Sequence, residues 1–504
     1  MGGGPAGLTA ARILRLRQPS WQVTVFERQP PEATFGYGVG LSFSALDRLA
    51  AVDAELAGAI RAAAVPVATW TMRRDGESLS ARNSHGLAIG RAALLRILRR
   101  HAVAAGAVPW TGRPVRLAEV ADADVVVAAD GAGSLVRAEL AARLGATVRH
   151  GELAYLWCGA ELALTDMTLA LARTSAGPLA AHVMPYAPAA CTFQADAHEQ
   201  ALASLGVPPT GAGDSIGMLR REFAGLLAGA PLRAKRTDWV TFPTVSCERW
   251  HWGNVVLLGD AAHTAHYTVG SGTALAVEDA AELATALATM PAGVASPAAA
   301  FEAFQAARHD RVVRLQRRAD RSQRWWTTLA TRIDWPLPRL LLSYLTRTGA
   351  ITLSAVARQN AAVLARCLSL GSHPAPVGAG RAGFILAQPA TVNGTRLPGR
   401  LYRPADLAPG VVATVVHDSG RPTLAMMRGL AGQARELTGQ GVSVIRLAGP
   451  PGREDLLDRL ELAEFVRGQA GVATIVAGPA ELRDDLALGI VTGRTDLADL
   501  ALPC

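Results

Sequence analysis

Apolar and polar positions along the first 150 residues follow one another in a way typical of alternating strands and helices. The apolar spacing predicts a helix over residues 5–17 and an amphipathic helix over residues 91–105. Residues 22–27 and 122–133 are short apolar runs that end at an acidic residue or a glycine turn, which indicates buried strands. This part of the chain is therefore predicted to have an α/β fold.

The pattern changes after residue 150. From about 151 to 245, short apolar strands are separated by turns, as in a sheet layer. Residues 254–263 return to the buried-strand pattern, and an alanine-rich helix follows over 272–290. Helical periodicity continues over 298–330 and 336–368. We therefore predict a sheet domain between two parts of one α/β domain, followed by a helical segment.

The last part of the chain is set off by its composition. The proline- and glycine-rich segment 371–383 predicts a linker. Beyond it, residues 384–504 have α/β character, and the runs VSVIRLAG and VATIVAG are the clearest strands. A small additional α/β region is therefore expected at this end.

Length and composition narrow the class of protein. A chain of 504 residues predicts roughly three domains, and 50% hydrophobic with 18% charged residues is ordinary for a globular protein. No apolar run reaches the ~18 residues of a membrane span, and no signal segment is apparent at the start. The five cysteines are scattered without a CxxC pair, which argues against disulfides and against a bound metal. We therefore expect a cytoplasmic protein with no membrane partner.

The net charge of +8 is almost entirely due to arginine, because Lys235 is the only lysine. Together with abundant alanine and glycine, this skew is more typical of a GC-rich genome than of a nucleic-acid-binding protein, so no nucleic-acid partner is expected. The basic stretch Arg308–Arg324 is interpreted first as the solvated face of a long helix and second as a surface that attracts phosphates.

Glycines at the start of the chain indicate a dinucleotide site. Gly2, Gly4 and Gly7 have G-x-G-x-x-G spacing around Pro5 and Ala6, and a helix follows at once; Glu27 ends the next predicted strand. Glycines let the backbone approach a pyrophosphate at the helix N-terminus, and the acid accepts hydrogen bonds from ribose hydroxyls.

This fingerprint normally follows a buried strand, whereas here Met1 directly precedes the glycines. Either the true start lies upstream or the sheet lacks its central strand; we favour the first, since loss of the strand would expose its neighbours. A second G-x-G-x-x-G at residues 378–383 lies in the predicted linker with no strand before it, and we do not interpret it as a nucleotide site.

Two further strand ends carry acids. Asp130 and Gly131 close one apolar run, and Gly259 and Asp260 open the segment GDAAH after another. An acid at the carboxyl end of a strand can meet ribityl or ribose hydroxyls. The turn Gly270–Gly272 before a helix offers backbone N–H groups to a partly negative flavin edge. Asp130 as a plain turn residue or helix cap stays a weaker alternative.

The combination GGGPAG, DG and GDAAH resembles the single-component, class A FAD-dependent aromatic monooxygenases. Within that family, several stretches are similar to the salicylyl-CoA 5-hydroxylase and anthraniloyl-CoA (2-aminobenzoyl-CoA) monooxygenase subgroup: FGYGVG (35–40), RWHWGNVVLLGD (249–260), GDAAHTAHYTVGSGTALAVEDA (259–280) and LLLSYLTRTGAIT (340–352). The resemblance covers residues 1 to about 370. Tyr267 matches the aromatic residue of the subgroup, whereas Ala274 replaces its usual lysine.

The resemblance implies a Rossmann-like FAD-binding domain of the glutathione-reductase type, interleaved with a β-sheet substrate domain. The expected segments are the FAD-binding domain in two parts (1–150 and 246–305), the sheet domain (151–245), a helical segment (306–370), the linker (371–383) and the C-terminal region (384–504).

The resemblance also implies the site residues. FAD would be bound by residues of the three strand ends and by one helix-start arginine: Gly2, Gly4, Pro5, Ala6, Gly7, Glu27, Arg28, Arg91, Asp130, Gly131, Gly259, Asp260, Gly270 and Gly272. The catalytic candidates are His266, Tyr267, Gly270 and Gly272. His266 either packs structurally or positions substrate or relays a proton, and Tyr267 either packs or contacts the substrate.

The implied activity is hydroxylation of an aromatic ring through a flavin hydroperoxide, with NAD(P)H as transient reductant and O2 as co-substrate. The expected substrate is an aromatic acyl-CoA or a carrier-tethered aryl acid. A hydroxylase or epoxidase of a free indole, quinolone or other aromatic, and a non-catalytic flavin-binding scaffold, stay open as alternatives. A homodimer is possible.

Residues 384–504 are similar in places to the old yellow enzyme, an FMN-containing (β/α)8 barrel, for example in VATIVAGPAELRDDLALGIVTGRTDL. About 120 residues are too few for such a barrel, which needs at least about 200. We interpret the region as a shortened barrel remnant, without a complete FMN site, that stabilises the hydroxylase.

Overall fold

The computed structural model describes residues 1–30, 36–207, 214–236, 238–290, 296–370, 382–418 and 420–500. The chain divides into two compact units: Met1–Gly76 with Asn83–Gln323, and Glu77–Arg82 with Arg324–Cys504. Most of the predicted linker 371–383 lies outside the described residues, and so does most of the second G-x-G-x-x-G. No described helix is long and apolar enough to cross a membrane.

The first unit holds fourteen described strands, of which β4 begins with the six residues grouped with the second unit. They are β1 Thr24–Glu27, β2 Gly38–Ser42, β3 Val65–Arg74, β4 Glu77–Gly90, β5 Val108–Thr111, β6 Val126–Ala128, β7 Thr147–Ala160, β8 Met167–Thr174, β9 Gly177–Ala187, β10 Ala190–His198, β11 Leu232–Ala234, β12 Val240–Ser246, β13 His251–Trp252 and β14 Val255–Leu257.

Its described helices include several that cover the faces of these strands. They are α1 Pro5–Arg17, α2 Phe43–Ala50, α3 Ala54–Ala63, α4 Arg91–Ala104, α5 Leu135–Glu139, α6 Ala141–Leu144, α7 Glu199–Ser204, α8 Ser215–Glu222, α9 Ala224–Leu227, α10 Gly272–Ala288 and α11 Ala298–Thr327. The last four residues of α11 are grouped with the second unit.

One large sheet has nine strands in the order β11-β7-β10-β9-β8-β3-β4-β2, with β12 also paired to β7. The other strands of the unit form two small sheets: β1 pairs in parallel with β5, and β6 pairs in parallel with β14, beside β13. The α/β class is confirmed. Strands from residues 38–90 join the large sheet, although the sequence pattern did not predict them.

The first helix shows how the local sequence builds this unit. Pro5 occupies its first turn, where a missing N–H costs nothing, and Gly4 precedes it. Its apolar residues are buried on two sides, since Ile13 packs with β6 and β14 and Leu8 packs with α2–α4. Helix α1 is thereby fixed between two parts of the core.

Met1 and Gly2 lie between the two small sheets. The Met1 amine donates to the carbonyl of Val127 on β6 at 2.7 Å, and Ala129 N–H donates to the Met1 carbonyl at 2.7 Å. Gly2 N–H donates to the carbonyl of Phe26 on β1 at 2.8 Å. These two residues therefore provide the backbone pairing that joins β1 to β6, at the position where the fingerprint normally follows a strand.

The second unit combines helices with a parallel sheet. Its helices are α12 Leu337–Thr346, α13 Leu353–Gln359, α14 Ala361–Leu368, α15 Ala382–Leu386, α16 Leu424–Gly439, α17 Arg453–Ala470 and α18 Arg483–Val491. Its strands are β15 Ala390–Val392, β16 Thr395–Leu397, β17 Val412–Val416, β18 Val444–Ala448, β19 Ala473–Ala477 and β20 Leu497–Asp499.

Strands β17, β18, β19 and β20 lie side by side in chain order, and all are parallel. The chain passes from each to the next through one of the helices α16, α17 and α18. The hairpin β15–β16 packs its apolar residues against Val444, Ile475 and Leu497 of this sheet. The region is thus a small α/β structure with strands in sequential order.

Candidate functional site

Three strand ends, far apart in the sequence, meet at the glycine turn. A Cβ on Gly2 would lie 2.1 Å from the carbonyl oxygen of Ala129, directly before Asp130. A Cβ on Gly7 would lie 2.0 Å from the carbonyl oxygen of Gly2. A Cβ on Gly259, at the end of β14, would lie 3.2 Å from the Cβ of Ala6. Gly2, Gly7 and Gly259 are therefore needed because neighbouring segments of the chain pack too closely against them for a side chain.

Other glycines of the predicted site face open space. A Cβ on Gly4 or on Gly272 would meet no heavy atom within 4 Å, and neither residue has a left-handed backbone. Gly4 precedes helix α1 and Gly272 begins helix α10. Within the protein itself, nothing requires a glycine at these two helix starts. The space beside them suits a ligand that approaches the helix N-termini closely.

The acids at the first two strand ends are partly engaged. Glu27 Oε2 accepts the N–H of Gly3 at 2.7 Å, and its Oε1 accepts the N–H of Gln29 at 2.8 Å. Asp130 Oδ2 accepts the N–H of Leu135 at 2.9 Å, whereas its buried Oδ1 has no hydrogen-bond partner among the described residues. Glu27 therefore shapes the glycine turn, and Asp130 has acceptor capacity left for a ligand.

The acid at the third strand end lies in a recess. Desolvation by the surrounding protein raises the pKa of Asp260, and His263 and Arg91 only partly oppose it. The residue is nevertheless exposed to solvent. Burial likewise lowers the pKa of Arg91, at the start of α4, whose backbone N–H donates to the carbonyl of Tyr37 at 2.7 Å. A carboxylate and a guanidinium are thus coupled electrostatically at a position that a ligand can reach.

Arg137 holds two of the loops together. It is buried, and its Nη1 donates to the carbonyl of Ala261 at 2.9 Å. Its Nη2 donates to the carbonyl of Ala132. The turn after Asp130 and the turn containing Asp260 are therefore fixed to each other by one side chain.

A buried charge network supports the GDAAH segment from behind. His263 Nε2 lies 2.9 Å from Asp279 Oδ2, and Arg308 Nε donates to Asp279 Oδ1 at 2.7 Å. Arg308 also lies 3.1 Å from Glu278 Oε2. Burial opposes ionisation of Asp279, but His263 and Arg308 outweigh it and lower its pKa. Helices α10 and α11 are thereby tied to the segment that carries Asp260.

The catalytic candidates lie in the turn between GDAAH and α10. His266 is buried, with its Nδ1 3.0 Å from Thr268 Oγ1 and its ring 4.1 Å from that of Tyr267. Gly270 has a left-handed backbone with φ of 61° and ends a short 3-10 turn. The buried Oγ of Ser271 has no hydrogen-bond partner among the described residues.

Tyr267 contacts the large sheet. Its hydroxyl donates to Asp196 Oδ1 on β10 at 2.8 Å, and His182 Nε2 on β9 lies 2.7 Å from Asp196 Oδ2. Its ring lies 4.8 Å from that of Tyr155 on β7 and 5.6 Å from that of Phe242 on β12. Burial and the charge of Asp196 raise the pKa of Tyr267 well above its usual value, so its hydroxyl stays protonated.

Comparison with known proteins identifies the class. The model of a family described as "FAD binding domain" matches residues 1–319. The chain belongs to this family.

Two relatives point to aromatic hydroxylation. A 3-hydroxy-4-methyl-anthranilyl-[aryl-carrier protein] 5-monooxygenase of Streptosporangium sibiricum is 37% identical over 351 residues, covering 70% of this chain and 94% of that protein. A salicyloyl-CoA 5-hydroxylase of a Streptomyces species is 33% identical, covering 65% of this chain and 64% of that protein. The chain is an FAD-dependent aromatic monooxygenase, as its sequence predicted.

A solved structure shows the same fold. The 2-methyl-3-hydroxypyridine-5-carboxylic acid oxygenase superposes with a TM-score of 0.51 at 19% identity, covering 70% of this chain and 94% of that chain. NAD(P)H and O2 are the co-substrates typical of this FAD-binding family.

The residues present in this flavoprotein suit FAD. Open glycines at two helix starts leave room for phosphate and ring, and Asp130 has an unused buried acceptor for a hydroxyl. Pro5 and Ala6 lie in the glycine turn, and Gly131 also faces open space. Arg28 is exposed and has no hydrogen bond or ion pair among the described residues.

Sequence reasoning missed the polar residues of the large sheet. Two of these polar residues lie beside Tyr267: Asp196 accepts the hydrogen bond of the Tyr267 hydroxyl, and His182 contacts Asp196. A signal was present, because polar Thr192, Gln194 and Asp196 alternate with apolar residues, which predicts a strand with one polar face. Their approach to Tyr267, 71 residues from Asp196 in the chain, could not be read from that alternation.

The basic stretch Arg308–Arg324 lies on a long helix, as predicted, but it is a solvated face only in part, and the prediction was wrong for its buried arginines. Arg308, Arg321 and Arg324 are buried, whereas Arg314 and Arg318 are exposed. Arg308 is needed inside the protein because Asp279 and Glu278 require a buried counter-charge.

Proposed function

We propose that the three converging strand ends bind FAD in the arrangement of the glutathione-reductase type. Gly2, Gly4, Pro5, Ala6 and Gly7 would surround the pyrophosphate, and Glu27 with Arg28 would lie at the adenosine ribose. The convergence of these turns with Asp130 and Asp260 in one recess is the observation that supports this assignment most strongly.

The other proposed FAD contacts come from the residues at the ends of β6 and β14 and from the start of α4. Asp130 with Gly131, and Gly259 with Asp260, would contact the ribityl and phosphate region, and Arg91 would balance the charge of Asp260 and of the phosphates. Backbone N–H groups at Gly270 and Gly272 would contact the flavin ring, since the start of a 17-residue helix favours negative charge.

Bound FAD would supply the redox chemistry, in which a hydride from NAD(P)H allows one atom of O2 to be transferred to the ring and the other to leave as water. Residues of this chain would position the substrate and exclude water. The Tyr267 hydroxyl donates to Asp196 and also has a side-chain hydrogen bond with Gln194, so one lone pair is left to accept a hydrogen bond from a ring hydroxyl or amino group. His182 stabilises the charge of Asp196, and His266 packs beside the Tyr267 ring.

We further propose an aryl acid held as a carrier or CoA thioester as substrate. This rests on the names of the two relatives, one acting on an aryl-carrier protein and the other on a CoA ester. The aromatic wall of Tyr155, Phe242 and Tyr267 suits a flat ring.

The test compares one aryl acid in three forms: free, as CoA thioester and as carrier thioester. Reductant consumption and hydroxylated product are measured together on the FAD-loaded enzyme. We expect kcat/KM for a tethered form to exceed that of the free acid by about tenfold or more, since one tenfold step needs only about 1.4 kcal/mol of added contact. Equal values would assign the enzyme to free aromatics.

A free bicyclic aromatic is the second candidate. A 2-heptyl-3-hydroxy-4(1H)-quinolone synthase of Mycobacteroides abscessus is 28% identical and covers 80% of that protein. Quinolone and indole substrates therefore belong in the same assay. A protein that binds FAD but consumes no reductant with any substrate would be the non-catalytic scaffold.

For the second unit, we propose a shortened (β/α)8-barrel remnant. The support is its strand order, because four parallel strands in chain order occur in barrels, whereas doubly wound sheets reverse their order. Four strands cannot close a barrel around a second flavin. Extraction of the purified protein should therefore yield FAD without FMN; an equimolar amount of FMN would contradict the remnant.

A further inference from the structure

Three arginines gather around one carboxylate at the amino end of the parallel sheet in the second unit. Arg467, in the last turn of α17, places its Nε 3.0 Å and 3.1 Å from the two carboxylate oxygens of Asp496. Arg400 Nη1 donates to the backbone carbonyl of Asp496 at 3.2 Å. The third, Arg339 on α12, has its Cδ 3.2 Å from where a Cβ on Gly493 would lie, and Arg467 Nη1 donates to the carbonyl of the same Gly493 at 3.1 Å. We call Arg339, Arg400, Arg467 and Asp496 the arginine cluster.

The single carboxylate of the arginine cluster is already engaged. Asp496 Oδ2 accepts the N–H of Thr474 at 2.9 Å in addition to its contact with Arg467. Arg400 reaches only backbone there, and Arg339 Nε has no hydrogen-bond partner among the described residues. Of the three positive charges, one is neutralised and two are not.

The two uncompensated charges are poorly solvated. Burial and the neighbouring arginines lower the pKa of Arg339 and of Arg400, opposed by Asp496. The other titratable group at Arg339 is the buried thiol of Cys367, whose pKa is raised by burial to about 12, so it carries no negative charge. Desolvated charge without a partner is costly. All three arginines are only half-buried and can be reached from solvent.

We propose that the arginine cluster binds a phosphate group. A phosphate monoester carries about two negative charges at neutral pH, which balances the two uncompensated guanidinium groups. Guanidinium forks bind phosphate oxygens in pairs, and the half-buried Arg339 side chain has a buried Nε without a hydrogen-bond partner among the described residues. The site lies beside Thr474, near the start of β19, at the end of the sheet opposite to the carboxyl ends of its strands.

This inference does not depend on the flavin chemistry, and its test must keep the two apart. Inorganic phosphate is titrated calorimetrically into the 504-residue chain saturated with FAD, which blocks any phosphate site at the glycine turn. Chloride of matched ionic strength is the reference. We expect one phosphate per chain at the arginine cluster.

Arg339→Gln should weaken phosphate binding at least about tenfold, since a charge-assisted hydrogen bond and a charge are lost. Arg339→Lys, which keeps the charge, should recover part of the affinity. Arg435→Gln is the matched control, because Arg435 is exposed on α16 and donates only to the carbonyl of Gln469. If Arg339→Gln fails to fold, Arg400→Gln replaces it.

Coenzyme A and its 3′-dephospho form distinguish the source of the phosphate. Tighter binding of coenzyme A that is lost with the dephospho form indicates the phosphate of a nucleotide tail. Binding of inorganic phosphate alone indicates a small anion. No binding of either beyond the chloride reference, or unchanged binding in both the Arg339→Gln and Arg400→Gln variants, overturns the proposal.

Discussion

Acids at the carboxyl ends of parallel strands occur in both units, but they are used differently. In the first unit, Asp260 is exposed in its recess and Asp130 keeps one buried oxygen without a partner in the described chain. In the second unit, Asp499 at the end of β20 is paired with Arg446 of β18 at 2.7 Å. The acids of the first unit can still accept hydrogen bonds from a ligand, whereas Asp499 already forms an ion pair within the protein.

The backbone shows the same contrast. Behind the ends of β18 and β19, the buried Arg459 donates to the carbonyls of Pro450 and Ala477. In the first unit, Arg137 ties two loops together in a similar way but leaves the acids beside them accessible. An acid at a strand end is therefore a weak indication of a site until its remaining partners are known.

The largest expected effect separates two kinds of glycine. Gly7→Ala places a Cβ 2.0 Å from the carbonyl oxygen of Gly2, which should cost more than about 4 kcal/mol and prevent folding of the first unit. Gly4→Ala meets no protein atom, so the flavin-free protein should fold normally while FAD binding weakens about tenfold or more. Circular dichroism and FAD titration measure the two effects. If Gly7→Ala and Gly4→Ala fold equally well, the distinction between a glycine needed for packing and a glycine that faces open space is refuted.

The next effect concerns Asp279. Because its folded pKa is lowered, its stabilising contribution is present above the ordinary carboxyl pKa and is lost as the pH falls below that value. Asp279→Asn should destabilise the first unit by about 3–5 kcal/mol and flatten the acid limb of its stability curve. Denaturant unfolding between about pH 7 and 3 tests this. The exposed Asp310 provides the control, since Asp310→Asn should leave both quantities unchanged.

A smaller effect compares the two strand-end acids directly. Asp260→Asn should raise the FAD dissociation constant roughly 10- to 100-fold, as expected for loss of a hydrogen bond to a charged group. Asp499→Asn should leave FAD affinity within about twofold while lowering the thermal stability of the second unit, because it breaks the pair with Arg446. The same loss of affinity in both variants would mean that the strand ends do not differ in function.

The smallest effect is expected at Tyr267. Tyr267→Phe keeps the ring contact with Tyr155 but removes the hydroxyl that donates to Asp196. Product formed per reductant consumed should fall by about two- to tenfold, as expected for the loss of one hydrogen bond with a net value of about 0.5–1.5 kcal/mol. Tyr344→Phe, in the second unit, is the control. An unchanged product yield would reduce Tyr267 to a packing residue.

Local pattern predicted the elements around the glycine turn well. The helix expected over residues 5–17 is Pro5–Arg17, because proline, glycine and apolar spacing all favour it. The strand before GDAAH is Val255–Leu257, inside the predicted run. These elements are defined by short-range signals, and tertiary packing agrees with them.

Other parts depend on contacts that the local pattern does not contain. Strand β4 carries many charged and polar residues, so its apolar signal is weak, and pairing in the large sheet stabilises it instead. The helical stretch 336–368 is divided into three helices at a left-handed Gly349 and at Asn360. The buried role of Arg308 depends on Asp279, which lies 29 residues away.

The backbone pairing of Met1 and Gly2 with β1 and β6 has a consequence for biosynthesis. Val127, which accepts the hydrogen bond of the Met1 amine, lies 126 residues further along the chain. Gly259, which packs on the same glycine turn, lies farther still. A ribosome must therefore translate at least as far as Gly259 before the dinucleotide cradle can close. Until then, helix α1 exposes apolar side chains that a chaperone could recognise, and coenzyme loading must be a late event in the life of each new molecule.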